Sequence, residues 1–261
     1  MAIISRIAVS GGPRSGKSTV LEAIKEEARD YKAIITPEVA TEFFSNGVDI
    51  AENGLDNLEF QKHALLYQVE RENRYDRLAE RIRHPRVVRL SDRGIMGGMA
   101  YINPTQFLTL LRKEAGLSVE EAFSRYDAVL HLESSAFLGD EYYIREDNNS
   151  VRQEEDPEQV RALDLRTRNS CVGHQRLIII PASANFDEKK ARVNKVLQMI
   201  LADPHLENER KFEVGMPDFD AIKSKDVRVV PIFIEQIYLR SFDERSRRIR
   251  KRGWDGSFTY Y

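Results

Sequence analysis

The sequence predicts an α/β three-layer sandwich built on a parallel five-stranded sheet, and three of its features carry that expectation. Five short apolar, β-branched runs each end in a polar or turn residue. Stretches of helical periodicity separate them, the alternation that builds a parallel sheet. The first run leads directly into a glycine-rich loop that opens a helix. A chain of 261 residues is long enough for one large domain or up to two ordinary ones, and an apolar content of 41% is that of a globular protein.

The strand runs, in order, are Ile3–Ser10 before Gly11, Ala33–Thr36 before Pro37 and Glu38, Val87–Ser91 before Asp92, Asp127–Glu133, and Leu177–Ile180 before Pro181. Ligands of such sheets bind beyond the carboxyl ends of the strands, which is where Gly11, Glu38 and Asp92 fall. A first helix runs from the loop through Val20, Leu21, Ile24 and Ala28. A second spans about Asp56 to Arg83. Asp56 and Glu59 suit a capping box there, Leu58, Leu65, Leu66, Val69, Leu78 and Ile82 suit an apolar stripe, and the charged face is expected in solvent. A third spans about Glu188 to Leu201 and is broken at Asp203-Pro204. From there the composition shifts to turn clusters and aromatic or β-branched runs, so residues 1–203 and 204–261 are expected to form separate domains, the second β-rich.

Charge and cysteine usage narrow the function classes. A net charge of −2 gives no global attraction to nucleic acid, and none is expected as a partner. Cys171 is the one cysteine, which excludes an internal disulfide framework and fits a reducing compartment. No apolar run approaches the ~18 residues of a membrane span, and the segment MAIISRIAVSGG lacks a signal peptide's basic flank and cleavage site. The expected location is cytoplasmic.

Gly11-Gly12-Pro13-Arg14-Ser15-Gly16-Lys17-Ser18-Thr19 fits G-x-x-x-x-G-K-[ST] in the strand–loop–helix context that gives the motif its meaning. The loop curls its N–H groups toward a β-phosphate, and the helix N-terminus adds its positive end. Lys17 would reach the β- and γ-phosphates, and the Ser18 hydroxyl would ligate Mg²⁺. The fold thereby becomes a P-loop NTPase sandwich that holds ATP or GTP. Asp92, in VVRLSDRG, suits a carboxylate that holds Mg²⁺ through water, or else a helix cap or a partner of Arg93. Glu38 suits a general base on a water or an acceptor hydroxyl, or else a cap for the helix through Phe43 and Phe44. The stretch from Tyr142 to Gly173 carries Arg145, Arg152, Arg161, Arg166 and Arg168, the composition of a lid that clamps a phosphoryl group. His174 and Cys171 lack metal-ligand spacing and are expected to support the core. No N-K-x-D motif follows a strand, so a guanine-reading motif is not visible. The loop PASANF, Pro181–Phe186, stands where it could touch a base.

These residues resemble a known family. GGPRSGKST, TPEVATEFF, EFQKHALLYQ, LSDRG, the RALD of Arg161–Asp164 and GHQRLIIIPASANFDEKKARV together resemble the nicotinamide-riboside-kinase-like P-loop domain. The closer match is to the eukaryotic TRPL-translocation-defect GTPase family, which couples that domain to a C-terminal CYTH-like domain. The resemblance covers about residues 3 to 201 and favours Arg152 and Arg161 among the arginines, beside Lys17, Glu38 and Asp92 as the expected catalytic residues. In the tail, Glu207-Asn208-Glu209-Arg210-Lys211 resembles the E-x-E-x-K strand of CYTH domains, and Arg248, Arg250 and Arg252 alternate as a basic tunnel lining would. A closed tunnel takes about eight strands. The tail has room for about four, so a partial, C-terminally incomplete CYTH-like antiparallel segment is expected.

The function expected from all this is Mg²⁺-dependent binding and slow hydrolysis of a purine nucleoside triphosphate. The resemblance implies a regulatory role at phosphoinositide-bearing membranes, with an anionic phospholipid as partner and peripheral membrane attachment. A small-molecule kinase of the nicotinamide-riboside type is the alternative, because it uses the same cradle and differs only in the acceptor.

Overall fold

Side chains of the first strand are apolar on both faces, and that requires a central place in the sheet. The computed structural model of the chain, which describes residues 3–48, 50, 54–139, 156–202, 233–239, 247–254 and 257–260, puts it there. Among the described residues five strands form one parallel sheet in the order β2-β3-β1-β4-β5. They are β1 (Ile3–Ser10), β2 (Lys32–Thr36), β3 (Arg86–Asp92), β4 (Ala128–Leu132) and β5 (Leu177–Ile180). The chain runs from β1 outward to one side through β2 and β3, then crosses to β4 and β5 on the other. The change of direction at β1 leaves a crevice at the carboxyl ends of the strands, where the P-loop emerges.

Helices cover both faces. Ile7 and Val9 of β1 face α1 (Lys17–Glu27) and α7 (Phe186–Ala202), whose Val20, Leu21, Ile24, Val193 and Leu197 complete the larger core. Ala8 faces the other way, onto Tyr126 and Cys171. On that side Leu65 of α3 (Asn57–Ala79) packs with Phe107 and Leu111 of α4 (Pro104–Lys113) and with Ala122 of α5 (Val119–Ser124). Short 3₁₀ turns, η1 (Ile95–Ala100) and η2 (Ser135–Phe137), follow β3 and β4. Two further helices, α2 (Val39–Ser45) and α6 (Pro157–Ser170), flank the site.

Three expectations are corrected here. Asp56 caps α3 as expected, accepting from the Leu58 and Glu59 amides, but the Glu59 carboxylate pairs with Lys62 at 3.1 Å instead of closing a capping box. The expected apolar stripe is broken too: Leu65 is buried while Leu58 and Leu78 are exposed, and Ile82 lies beyond the helix end. Nor is the polar face all solvated. Glu72 is fully buried, accepting from Tyr126 Oη at 2.8 Å and from Gln68 Nε2 at 3.0 Å, and lying 3.7 Å from Arg89 of β3. Arg89 is itself fully buried and pairs with Asp76 at 2.8 Å. A buried charge survives only where partners replace its water, so α3 is registered on β3 by ion pairs as well as by packing.

The chain divides into two compact units, Met1–Asn208 and Glu209–Tyr261. In the second, β6 (Phe233–Leu239), β7 (Arg247–Trp254) and β8 (Ser257–Tyr260) form an antiparallel meander among the described residues. The E-x-E-x-K stretch, Glu207 to Lys211, lies outside the described residues.

Candidate functional site

Gly16 stands at φ 76°, in the left-handed region that glycine enters without strain, and there the backbone turns from the P-loop into α1. Lys17 follows as the first residue of that helix, and its side chain is 8% exposed. Its ammonium is hydrogen-bonded to Asp92 and lies 3.8 Å from Glu38. Three residues expected to act together, Lys17 opening α1, Glu38 after β2 and Asp92 ending β3, therefore meet at one point. Burial pushes the Asp92 carboxyl up, Lys17 pulls it down, Glu38 raises it and Arg93 lowers it; the net direction is up.

Glu38 occupies the N-cap position of α2 without a capping hydrogen bond from its side chain. Its carboxylate instead accepts from the Thr41 hydroxyl at 3.1 Å and pairs with Arg93 Nε at 2.7 Å. Arg93 has φ 78°, unusual for a residue with a side chain, and Gly94 follows at φ 67°. That double left-handed turn points the guanidinium back at Glu38 and over the Tyr101 ring, 4.9 Å from its centroid. A Tyr126 hydroxyl that accepts from the Ile95 amide at 2.8 Å holds the turn in place.

A cavity of about 620 Å³ opens over these groups. One end is the P-loop, from Gly12 to Thr19. The other is walled by Val39, Phe44, Phe60, Leu65 and Phe107, with Gln61 among them. Ser18 is exposed at the first end. The oxygens of Ser18 and Asp92 suit Mg²⁺, which needs only one or two protein ligands beside phosphate and water, and both residues line this cavity. Among the described residues no three His, Cys, Asp or Glu gather into a larger cage.

The loop is braced from behind by residues the sequence did not single out. Gly12 N donates to Asp164 Oδ1 at 2.7 Å, and Asp164 Oδ2 lies 3.1 Å from His131 Nε2. Ser134 Oγ donates to Pro13 O at 2.7 Å. Lys189 Nζ donates to Ser15 O at 2.7 Å and to Glu133 O at 2.6 Å. Burial lowers the Lys189 ammonium to about 8, against Asp164 and Glu133, which raise it; Arg192 adds to the lowering. Asp164 was visible only as the last letter of RALD. Lys189 carried no local signal, because its spacing is that of any lysine on a helix.

The expectation of an Arg-bearing charged lid is corrected over its second half. Pro157–Ser170 is a packed helix that buries Val160, Leu163 and Asp164. On it Arg161 donates to Ala136 O at 3.0 Å, Arg166 donates to Ala100 O at 3.0 Å, and Arg168 pairs with Glu133 at 3.7 Å. Arg145 and Arg152 lie outside the described residues. His174 accepts from the Arg176 amide at 3.0 Å and edges onto Phe123, as expected for a group supporting the core.

A family model described as an AAA domain matches residues 6–189, from β1 through the start of α7. The chain belongs to the AAA domain family. No curated protein matches it. The matched span includes each element of this AAA domain that contributes to the cavity, and a P-loop nucleotide-binding domain follows from it. Among the described residues no helix is long and apolar enough to cross a membrane.

Proposed function

We propose that the chain binds a purine nucleoside triphosphate, ATP or GTP, with Mg²⁺ and transfers its γ-phosphoryl group. The observation that carries this reading is Lys17, buried between Asp92 and Glu38 at the floor of the cavity. A triphosphate offers that ammonium the oxygens it now takes from Asp92. Ser18 and Asp92 would then hold Mg²⁺, whose chemistry is to neutralise charge on the phosphate oxygens. An acceptor oxygen attacks the γ-phosphorus, the bond to the β–γ bridging oxygen breaks, and the diphosphate leaves with the electron pair. Glu38 takes the acceptor's proton. Of the two arginines that the family resemblance favours, Arg161 is held on Ala136 O, and Arg152 would clamp the moving phosphoryl group.

Two acceptors are open. Water gives slow hydrolysis, as the resemblance to the TRPL-translocation-defect GTPases implies. A metabolite hydroxyl gives a kinase, and the aromatic wall of Phe44, Phe60 and Phe107 in the same cavity offers room for such an acceptor. Phosphate release and nucleoside diphosphate formation from Mg-ATP and Mg-GTP, each with and without nicotinamide riboside, distinguish the two. Diphosphate formed in excess of released phosphate marks a kinase; equal amounts mark a hydrolase. Lys17→Ala should abolish both, and unchanged affinity for both nucleotides in that variant refutes the P-loop reading.

The β-rich unit adds a proposed partner. In β7, Arg248, Arg250 and Arg252 fall opposite Tyr238, Gln236 and Ile234, while Glu235 falls opposite Lys251. Among the described residues no acid shares a register position with the three arginines, which supports their use toward an anionic phospholipid.

A further inference from the structure

A phosphate nest works only if its N–H groups point inward, and a trans peptide plane fixes the opposite direction for each carbonyl. In a buried loop those outward carbonyls need donors of their own. This P-loop has one for each of three successive carbonyls. Ser134 Oγ donates to Pro13 O at 2.7 Å, Ser135 N to Arg14 O at 3.3 Å, and Lys189 Nζ to Ser15 O at 2.7 Å. At the start of the loop the Gly12 N–H is drawn the other way, to Asp164 at 2.7 Å. Two of the four braces are charged, and both come from helices that follow β4 in sequence, α6 and α7.

We propose that Asp164 and Lys189 are positioning residues for the phosphate nest: they set the orientation of its peptide planes from the rear, so that triphosphate affinity depends on them although neither lines the cavity. The planes concerned are specific. With Ser15 O held on Lys189, the Gly16 N–H points toward the phosphate. With the Gly12 N–H held on Asp164, the loop begins its curl at a fixed angle. Lys189 is 4% exposed and Asp164 is 1% exposed, so water cannot replace either brace. Asp164 is also fixed by His131 on its far oxygen, which leaves its near oxygen one orientation.

This inference rests on the nucleotide-binding reading above, and the experiment separates the two. Mg-ATP and Mg-GTP affinities are measured by titration calorimetry for the wild type, Lys189→Met, Asp164→Ala and Asp164→Asn, with circular dichroism to verify the fold. Losing a charged partner of a buried group should weaken the triphosphate about 10- to 100-fold in the first two variants. Asp164→Asn keeps an acceptor for the Gly12 N–H and should recover most of the loss, which a merely structural defect would not. As a second readout, the Gly16 amide nitrogen and proton resonances should shift on adding Mg-nucleotide to the wild type and fail to do so in Lys189→Met. If Lys189→Met or Asp164→Ala does not fold, Lys189→Gln and Asp164→Asn, each retaining one contact, are compared by the same resonances. Folded variants that bind within twofold of the wild type and show the same Gly16 shift overturn the inference while leaving nucleotide binding intact. Wild-type protein that binds neither nucleotide overturns both.

Discussion

Glu38 stands where α2 would take a capping side chain, yet its carboxylate turns to Arg93 and Thr41, 3.8 Å from the Lys17 ammonium. A general base acts on the transition state and adds nothing to ground-state binding. Glu38→Gln should therefore slow turnover, by roughly 10²- to 10⁴-fold, with the nucleotide dissociation constant unchanged. A variant that turns over at the wild-type rate makes Glu38 an anchor for Arg93 only. Gly12 presents a different single-residue constraint. A Cβ placed there would meet the backbone and carboxylate of Asp164 at 2.7 Å. Gly12→Ala must push the loop from its brace, at a cost of about 1–3 kcal/mol. Denaturant unfolding should show that loss together with weaker triphosphate binding, and full stability in this variant would contradict the tight approach.

Among the elements, α7 lies over the P-loop through Lys189, and the buried ammonium makes that contact pH-dependent. Its ordinary value of 10.5 falls to about 8 in the fold. Below about pH 8 the amine is protonated in both folded and unfolded chains, and the burial penalty is carried in full. Between about 8 and 10.5 the unfolded chain still holds a proton that the native state has released. Stability then rises with pH through that window, by on the order of 1–3 kcal/mol in all. Subtracting the denaturation profile of Lys189→Met cancels other titrations, and a difference that stays flat from pH 7 to 10 would show that the amine is not desolvated. On the opposite face α3 is held to β3 through Glu72 and Arg89. Glu72→Ala leaves Arg89 buried without one of its two acidic partners and should cost about 3–5 kcal/mol in thermal or chemical unfolding.

For the whole molecule, the division into Met1–Asn208 and Glu209–Tyr261 makes a direct prediction. All the residues of the cavity and of its braces fall in the first unit, so a chain ending at residue 208 should bind Mg-nucleotide as the full chain does. Calorimetry that finds the fragment folded but more than tenfold weaker would give the β-rich unit a part in the site. The β-rich unit itself should bring the protein onto liposomes containing phosphoinositide at low salt and release it as salt rises, since each basic residue near an anionic surface contributes up to about 1 kcal/mol and is screened. Charge reversal at Arg248, Arg250 and Arg252 should abolish sedimentation without altering nucleotide affinity. Wild-type protein that stays in the supernatant ends the lipid reading for this chain.

The parts of the fold and site legible in the sequence are those encoded by neighbours. A β-branched run followed by G-x-x-x-x-G-K-S is local chemistry, and so are the carboxylates two residues past β2 and at the end of β3; hence the five strands, the P-loop, Glu38 and Asp92 could be placed from spacing alone. That the Glu38 side chain does not cap α2 required knowing that Arg93, 55 positions away, turns back through a left-handed φ to meet it. The rear braces were out of reach for the same reason. Asp164 and Lys189 sit 152 and 174 residues from the loop atoms they hold, and a charged residue on a helix looks solvated until the packing that removes its water is known. The strands and the loop follow from short-range pattern. Which charges are buried, and what they hold there, follows from the order β2-β3-β1-β4-β5, because only that order brings the helices after β4 against the back of the loop after β1.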